Sequence, residues 1–463
     1  MPDRDDLDSW LNGRVDPLPP PPGTFELIQR RARRRKYRKL AITAGAAAAV
    51  LAVAVTVPQV VSLHVLSPAP ASSRVAAGQS TSPGATGGSP EASSATPVTG
   101  PPVPPNFQPG SVTFVSTDTG WVIGQAGTPG HCATQYCTSV ARTDDAGKTW
   151  TGVPAPLTGP ADGATGVSQI RFLNLADGWA FGPELFATHD GGQHWTQIDT
   201  HGLRVTDVET VDGRAFGLFA SCSGTGQAFA GQCTSYTLYS TLASADDWTP
   251  VGPSTSGLAD GGQDGSASIV LAGTTGYLLA PDGMLYAGPV DGTAPWVAVA
   301  RVPCAVGPAQ PDGQPAGGLL GAVNSTDLIF ACTPTPLPAP PSGGEQKKLI
   351  FASADGGSSW QLIEPVSEGP AAVAPIAGVA TSLAASPAET VMLATNLGID
   401  VLPAGSASWQ QATVQGAPAG GFTFVGMTTD TQGVAVPADA ASGAVWFTFD
   451  GGQTWQPSAV VSS

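Results

Sequence analysis

The chain has 463 residues with 59 Gly, 44 Pro and only 12% charged side chains, which excludes a helical bundle and fits many short strands joined by Gly/Pro turns. Its formal net charge of −16 is unevenly spread. Residues 1–39 carry ten basic and six acidic side chains (+4), and the remainder nine and 29 (−20). An acidic body repels phosphate, so nucleic acid is excluded as a partner of the large domain.

The first predicted element is a short amphipathic helix over Asp5 to Asn12, with Leu7, Trp10 and Leu11 at i, i+3, i+4. The proline run at Pro17 and Pro19 to Pro22 ends it, and Thr24 caps a second helix entering the cluster Arg30 to Lys39. Residues 40–64 follow without a charge, about the length that crosses a hydrocarbon core. The basic cluster on their N-terminal side places residues 1–39 in the cytoplasm as a basic head and the body outside. A cleaved signal peptide, with Ser67 to Ala71 as the processing site, is the alternative. The long head favours an uncleaved anchor, hence a single-pass protein of the cell membrane. Residues 65–107 are almost entirely Pro, Ala, Ser, Thr and Gly, and read as a disordered tether.

The body, 108–463, repeats itself. Thr143-Asp-Asp145-Ala-Gly147-Lys-Thr-Trp150 recurs as Thr188-His-Asp190-Gly-Gly192-Gln-His-Trp195, as Ser353-Ala-Asp355-Gly-Gly357-Ser-Ser-Trp360 and as Thr448-Phe-Asp450-Gly-Gly452-Gln-Thr-Trp455. Worn copies end in Trp248, Trp296 and Trp409. The seven tryptophans are 45 to 64 residues apart, close to the length of a four-stranded propeller blade, so they predict seven blades. The longest interval holds an insertion over Pro334 to Gly344. A second phased element, Asp118-Thr-Gly-Trp121, Asp177-Gly-Trp179 and Gly276-Tyr277, reads as the hairpin between the first two strands of a blade. In the first element the Asp is expected to accept backbone N–H groups of its own turn. The glycines supply positive φ, and the Trp packs between neighbouring strands to lock the hairpin.

All six cysteines lie in the body. Proximity pairs them as Cys132–Cys137, Cys222–Cys233 and Cys304–Cys332, a structural framework suited to an oxidising compartment.

The repeated turn resembles the Asp-box, or BNR repeat, of sialidase-like propellers. The resemblance implies an all-β, seven-bladed β-propeller, with the turns at the blade periphery and away from any ligand. The sixteen Ser/Thr, Asp, Gly and Trp positions quoted above are therefore structural. Sialidases of this fold clamp a carboxylate with three arginines. The body offers Arg142, Arg171, Arg204, Arg214 and Arg301, and only Arg301-Val-Pro303 approaches the expected motif, in the wrong part of the fold. The chain also resembles the photosystem II assembly factor, without its arginine patch. Asp118, Asp177, Asp212, Asp260 and Asp264 sit in turn contexts, and His189, His194 and His201 read as exposed turn residues. No metal, cofactor or catalytic set can be assigned. The expected function is a tethered propeller binding an extracytoplasmic protein, glycan or cell-wall component. One alternative is an exo-acting glycoside hydrolase. The other is a sensor whose residues 1–39 dock a cytosolic partner such as a sigma factor.

Overall fold

The computed structural model describes residues 100–461, apart from 129, 162–164, 223–232, 257–266, 304–317, 333–347, 365–377 and 407. The expected head, the expected membrane helix and most of the tether lie outside the described residues. Among the described residues no helix is long and apolar enough to cross a membrane.

Seven sheets follow one another along the described chain, each built on four antiparallel strands in sequence order. They span 107–153, 169–197, 204–256, 268–301, 319–364, 380–411 and 422–459, and are called blades 1 to 7. The first strands of consecutive blades, such as Phe107–Phe114, Gln169–Phe172 and Arg204–Val211, lie side by side and line the centre of the ring. The chain is an all-β, seven-bladed propeller.

A first strand is a sheet edge, so half of its backbone groups have no ladder partner. Side chains of the preceding blade supply one. Ser111 Oγ accepts from Ile170 N (3.3 Å), Thr113 Oγ1 from Phe172 N (3.3 Å), Asp207 Oδ2 from Ile269 N (2.8 Å) and Ser382 Oγ from Val425 N (3.1 Å).

The hydrophobic core is divided into seven clusters, each shared by two neighbouring blades. One of the seven repeat tryptophans stands in each, and it always packs against the preceding blade. Trp296 of blade 4 meets Phe216 and Leu218 of blade 3, and Trp150 of blade 1 meets Val445 and Phe447 of blade 7. The ring also packs on its own blade, as the pairs Phe172–Trp195, Phe219–Trp248 and Phe330–Trp360 show, so it joins its hairpin to the blade before it. This joint explains why blades 3, 4 and 6 keep the tryptophan after losing most of the turn. Burying an indole removes about 200 Å² from water, worth at most ~5 kcal/mol.

The second phased aromatic points the other way. Trp121 Nε1 donates to Gly191 O (3.1 Å), Trp179 Nε1 to Asp246 Oδ1 (3.3 Å) and Tyr277 Oη to Ser325 O (2.8 Å), each in the next blade. Each such blade is therefore fastened forward by one ring and backward by another.

The ring closes without exchanging strands. Blade 7 uses the last four strands of the chain, and a short strand, Thr413–Val414, runs parallel to its outer edge. Closure rests on side chains. Trp150 Nε1 donates to Ser458 Oγ (3.1 Å), Ser458 Oγ to Gly147 O, and Gln432 Nε2 to Thr117 O (2.6 Å), while Phe114 and Phe447 meet edge to face. Residues 100–106, which composition placed in the tether, contribute as well. Pro101 O accepts from Gly152 N (2.8 Å), and Val103 is buried in the cluster shared by blades 1 and 7.

Candidate functional site

Strand alternation gives the ring two unlike ends. The connections between strands 1 and 2 and between strands 3 and 4 of every blade leave at one end, here the turn end. Those between strands 2 and 3, and from blade to blade, leave at the other, here the loop end.

The turn end is built from short repeated parts. In blade 7, Thr448 Oγ1 donates to Asp450 Oδ1 (2.9 Å) and accepts from Gly452 N (2.9 Å). Asp450 then accepts from the N and Oγ1 of Thr454 (2.9 and 2.7 Å). The same four contacts recur at Thr143/Asp145, Thr188/Asp190 and Ser353/Asp355. The buried Ser/Thr hydroxyl, a participant the sequence reading left without a role, ties the Asp to the glycine amide. Two consecutive positive-φ residues make the bend, for example Ala146 and Gly147 (61° and 79°). A Cβ at Gly147 would meet Phe447 of blade 7 at 2.4 Å. Hydrogen bonds hold all four carboxyls below the usual range against the opposing pull of desolvation, Asp190 to about 2.

Of the other residues singled out, Asp118 and Asp177 lie in hairpins of the turn end, and Asp212 adopts φ 48° in another. Asp260 and Asp264 lie outside the described residues. His189 bridges two blades through Asp177 (2.9 Å) and Asp246 (2.8 Å). Desolvation opposes its charge, yet the two carboxylates raise its pKa. His194 pairs with Asp190 and His201 with Asp199. Among the described residues no group of three side chains is placed to hold a metal. The arginines are scattered: Arg142 pairs with Asp144, Arg171 with Glu209 and Arg301 with Asp282, in different blades.

The loop end differs in kind. Cys132–Cys137 and Cys222–Cys233 are disulfides, each closing a connection between strands 2 and 3. Cys332 is disulfide-bonded too, and its expected partner Cys304 lies outside the described residues. The described strands that flank 223–232, 257–266, 304–317, 333–347 and 365–377 all end on this side.

Two features are built here and in the channel. On blade 1, the Cys132–Cys137 connection and the segment after Val153 wall a groove of about 270 Å³, lined by Pro104, Tyr136, Thr138, Pro154, Pro156 and Leu157 among others. In the channel, Asp207 and Glu209 share one face of the first strand of blade 3, and Arg171 of blade 2 reaches across to Glu209 (2.8 Å) and Val208 O (3.1 Å). Burial pushes both carboxyls up, Glu209 to about 7, against the pull of Arg171. No local pattern marks these two acids. Asp207 fills the clasp position that Ser111 and Ser382 fill elsewhere, which makes it a fastener between blades 3 and 4.

No protein-family model matches the sequence, and no curated protein matches it. Solved structures resemble it in fold. A structure of YCF48 bound to D1 peptide is 16% identical with a TM-score of 0.45, covering 75% of this chain and 95% of that one. YCF48 from Cyanidioschyzon merolae is 14% identical (TM-score 0.42; 68% and 89% covered). The GH74 enzyme from Niastella koreensis is 12% identical (TM-score 0.39; 77% and 66% covered). At such identities the likeness concerns the fold alone.

Proposed function

We propose that the protein is a membrane-tethered, extracytoplasmic recognition propeller of the Asp-box type, which holds a protein, glycan or cell-wall ligand at its loop end. The asymmetry of the ring carries this reading. One end is built of short, internally hydrogen-bonded turns, and the other presents the connections free to vary in length, where propellers hold their ligands. The disulfides support an oxidising compartment outside the cytoplasm. The basic flank and apolar run of residues 30–64 support the tether.

The hydrolase alternative needs a pair of carboxylates with independent roles. Of the described channel carboxylates, Asp207 serves a backbone amide of the next blade and Glu209 is committed to Arg171, which favours binding over catalysis in the channel. The test uses the full-length chain in detergent, screened against glycans, cell-wall fragments and extracytoplasmic proteins, with bound material analysed by mass spectrometry. Retention of intact ligand is the expected result. Cleaved ligand, with turnover lost in Glu209→Gln, would replace recognition by catalysis. Protease accessibility of the body in intact cells tests the topology, and protection would overturn it.

A further inference from the structure

Two clusters of ionisable side chains stand on the seam between blades 2 and 3, one at the turn end and one in the channel, and both are built alike. At the turn end His189 of blade 2 lies between two carboxylates. Its Nδ1 is 2.9 Å from Asp177 Oδ1 of its own blade, and its Nε2 is 2.8 Å from Asp246 Oδ2 of blade 3. In the channel Arg171 of blade 2 donates to Glu209 of blade 3 (2.8 Å), and Asp207 stands on the same face of that strand. Each cluster places two acids around one base, and in both the base comes from blade 2.

The number of protons decides whether these contacts attract. An imidazole carries a proton on both nitrogens only when it is charged. Neutral His189 keeps one N–H, so one of its two carboxylates meets a lone pair instead of a donor. In the channel one guanidinium balances one carboxylate. The cluster stays balanced only while a proton remains on one of its two acids. Losing one proton from each cluster therefore adds two negative charges to a seam already rich in acids. Burial opposes the charge on His189, yet Asp177 and Asp246 raise its pKa, and burial pushes Glu209 up to about 7. Both protons leave near neutrality.

The remaining charged groups here are few. On the His189 turn, Asp190 and His194 pair with each other (2.6 Å). Arg142 of blade 1, which packs on that turn at Gly191, is held by Asp144. Arg214 of blade 3 lies against Gly292 of blade 4, and Asp247 adds an acid beside Asp246. In the channel, Arg204 stands at the loop end of the first strand of blade 3, and the first strands of blades 1 and 4 carry no charge.

Among the described residues no other seam is fastened this way. Trp121 and Tyr277 take the place of Trp179 in blades 1 and 4, but they donate to backbone carbonyls, which do not titrate, whereas Trp179 donates to Asp246. The clasps from blade 1 to 2 and from blade 6 to 7 use the hydroxyls of Ser111, Thr113 and Ser382. Lys348 of blade 5 also feels Asp400 of blade 6, but burial pulls Lys348 down to about 8, so its contribution grows as pH rises.

We propose that the seam between blades 2 and 3 is a pH-sensitive joint, closed below neutrality and opening locally above it while the rest of the ring stays shut. The His189 side chain is 43% exposed, so it follows the pH of the surrounding medium directly. The parts that separate are the hairpin around Asp177 and the turn around Asp246. Their parting uncovers Trp179 and Trp248, which meet edge to face in this seam (6.3 Å). The joint goes beyond the recognition reading and does not depend on it.

Hydrogen exchange followed by mass spectrometry on the full-length chain in detergent tests it, at pH 6 and pH 8.5 with intrinsic rates corrected for pH. Each pKa unit that separates the closed from the open seam changes the opening constant about tenfold. Peptides over 173–181 and 243–248 are expected to open at least about tenfold more at pH 8.5, while peptides over 117–123 and 324–330 change less than about threefold. His189→Gln and Glu209→Gln each keep a hydrogen-bonding side chain and remove one titrating group. Each should remove part of the difference, and the double variant nearly all of it. Equal changes in all seams, no change at this seam, or a difference that survives in the double variant would overturn the proposal. The comparison between seams uses the wild type alone, so it decides the matter even where a variant fails to fold.

Discussion

At the residue scale, the turn carboxylates and the channel carboxylate have opposite consequences for acid stability. Asp145, Asp190, Asp355 and Asp450 titrate below their unfolded value of 3.8, because amides and hydroxyls of the turn bind the ionised form. Their contribution is complete above about pH 4 and is lost as pH falls toward the folded value, about 2 for Asp190. Glu209 titrates up at about 7. Its protonation favours the folded state most below its unfolded value of 4.5, and that contribution disappears as pH rises through 7. Thermal melts from pH 5 to 8 should therefore show a decline in wild type that Glu209→Gln flattens. A slope unchanged in the variant would contradict the assignment. His189, raised above 6.5 by Asp177 and Asp246, adds a second decline. Its contribution is full below pH 6.5 and fades as pH rises through the higher folded value, so His189→Gln should cost more at pH 6 than at pH 8.5.

The element scale separates what the turn does from what the tryptophan does. The turn is a local device: Thr448→Val removes three hydrogen bonds, one of them long, from a fully buried hydroxyl and should cost about 1–2 kcal/mol in urea unfolding. The tryptophan is an inter-blade device, so Trp409→Ala should cost about 3–5 kcal/mol even though blade 6 lacks the full turn. Equal losses for the two variants would refute that division of labour. Gly147→Ala combines a positive φ with a side chain thrust at Phe447, and should cost about 2–3 kcal/mol. The blade number was legible because the seven indoles recur in phase, and phase survives even where the turn decays. Their direction was not, since a periodic sequence cannot say which neighbour a ring faces. Residues 100–106 were missed for a related reason. Five residues of Pro-Pro-Val-Pro-Pro have tether composition, and only the outer edge of blade 1 turns them into packed structure. The Asp207–Glu209–Arg171 cluster and the groove assemble from separate blades or connections and leave no mark on any single segment.

For the whole molecule, the disulfides sit in connections and the clusters sit between blades, so oxidation and ring integrity should be separable. The partners of the two described disulfides are 5 and 11 residues apart, and loops that short stabilise by only about 2–3 kcal/mol each. Reduction should lower the melting temperature while the far-ultraviolet circular dichroism of the sheets persists. Loss of that signal on reduction at 25 °C would show that the disulfides hold the ring itself.

The closing contact between Trp150 and Ser458 joins residues 308 positions apart. At roughly 5–20 residues per second of synthesis, blade 1 waits about 15–60 s for its partner to be made. Through that interval Val103, Val112 and Trp150 face solvent, with their apolar mate not yet translated. Six of the seven inter-blade surfaces are covered as soon as the next blade emerges, and this one is always last. The nascent chain therefore carries a single, predictable sticky face for most of its production, and that face is where a chaperone, or a neighbouring nascent chain, has its opportunity.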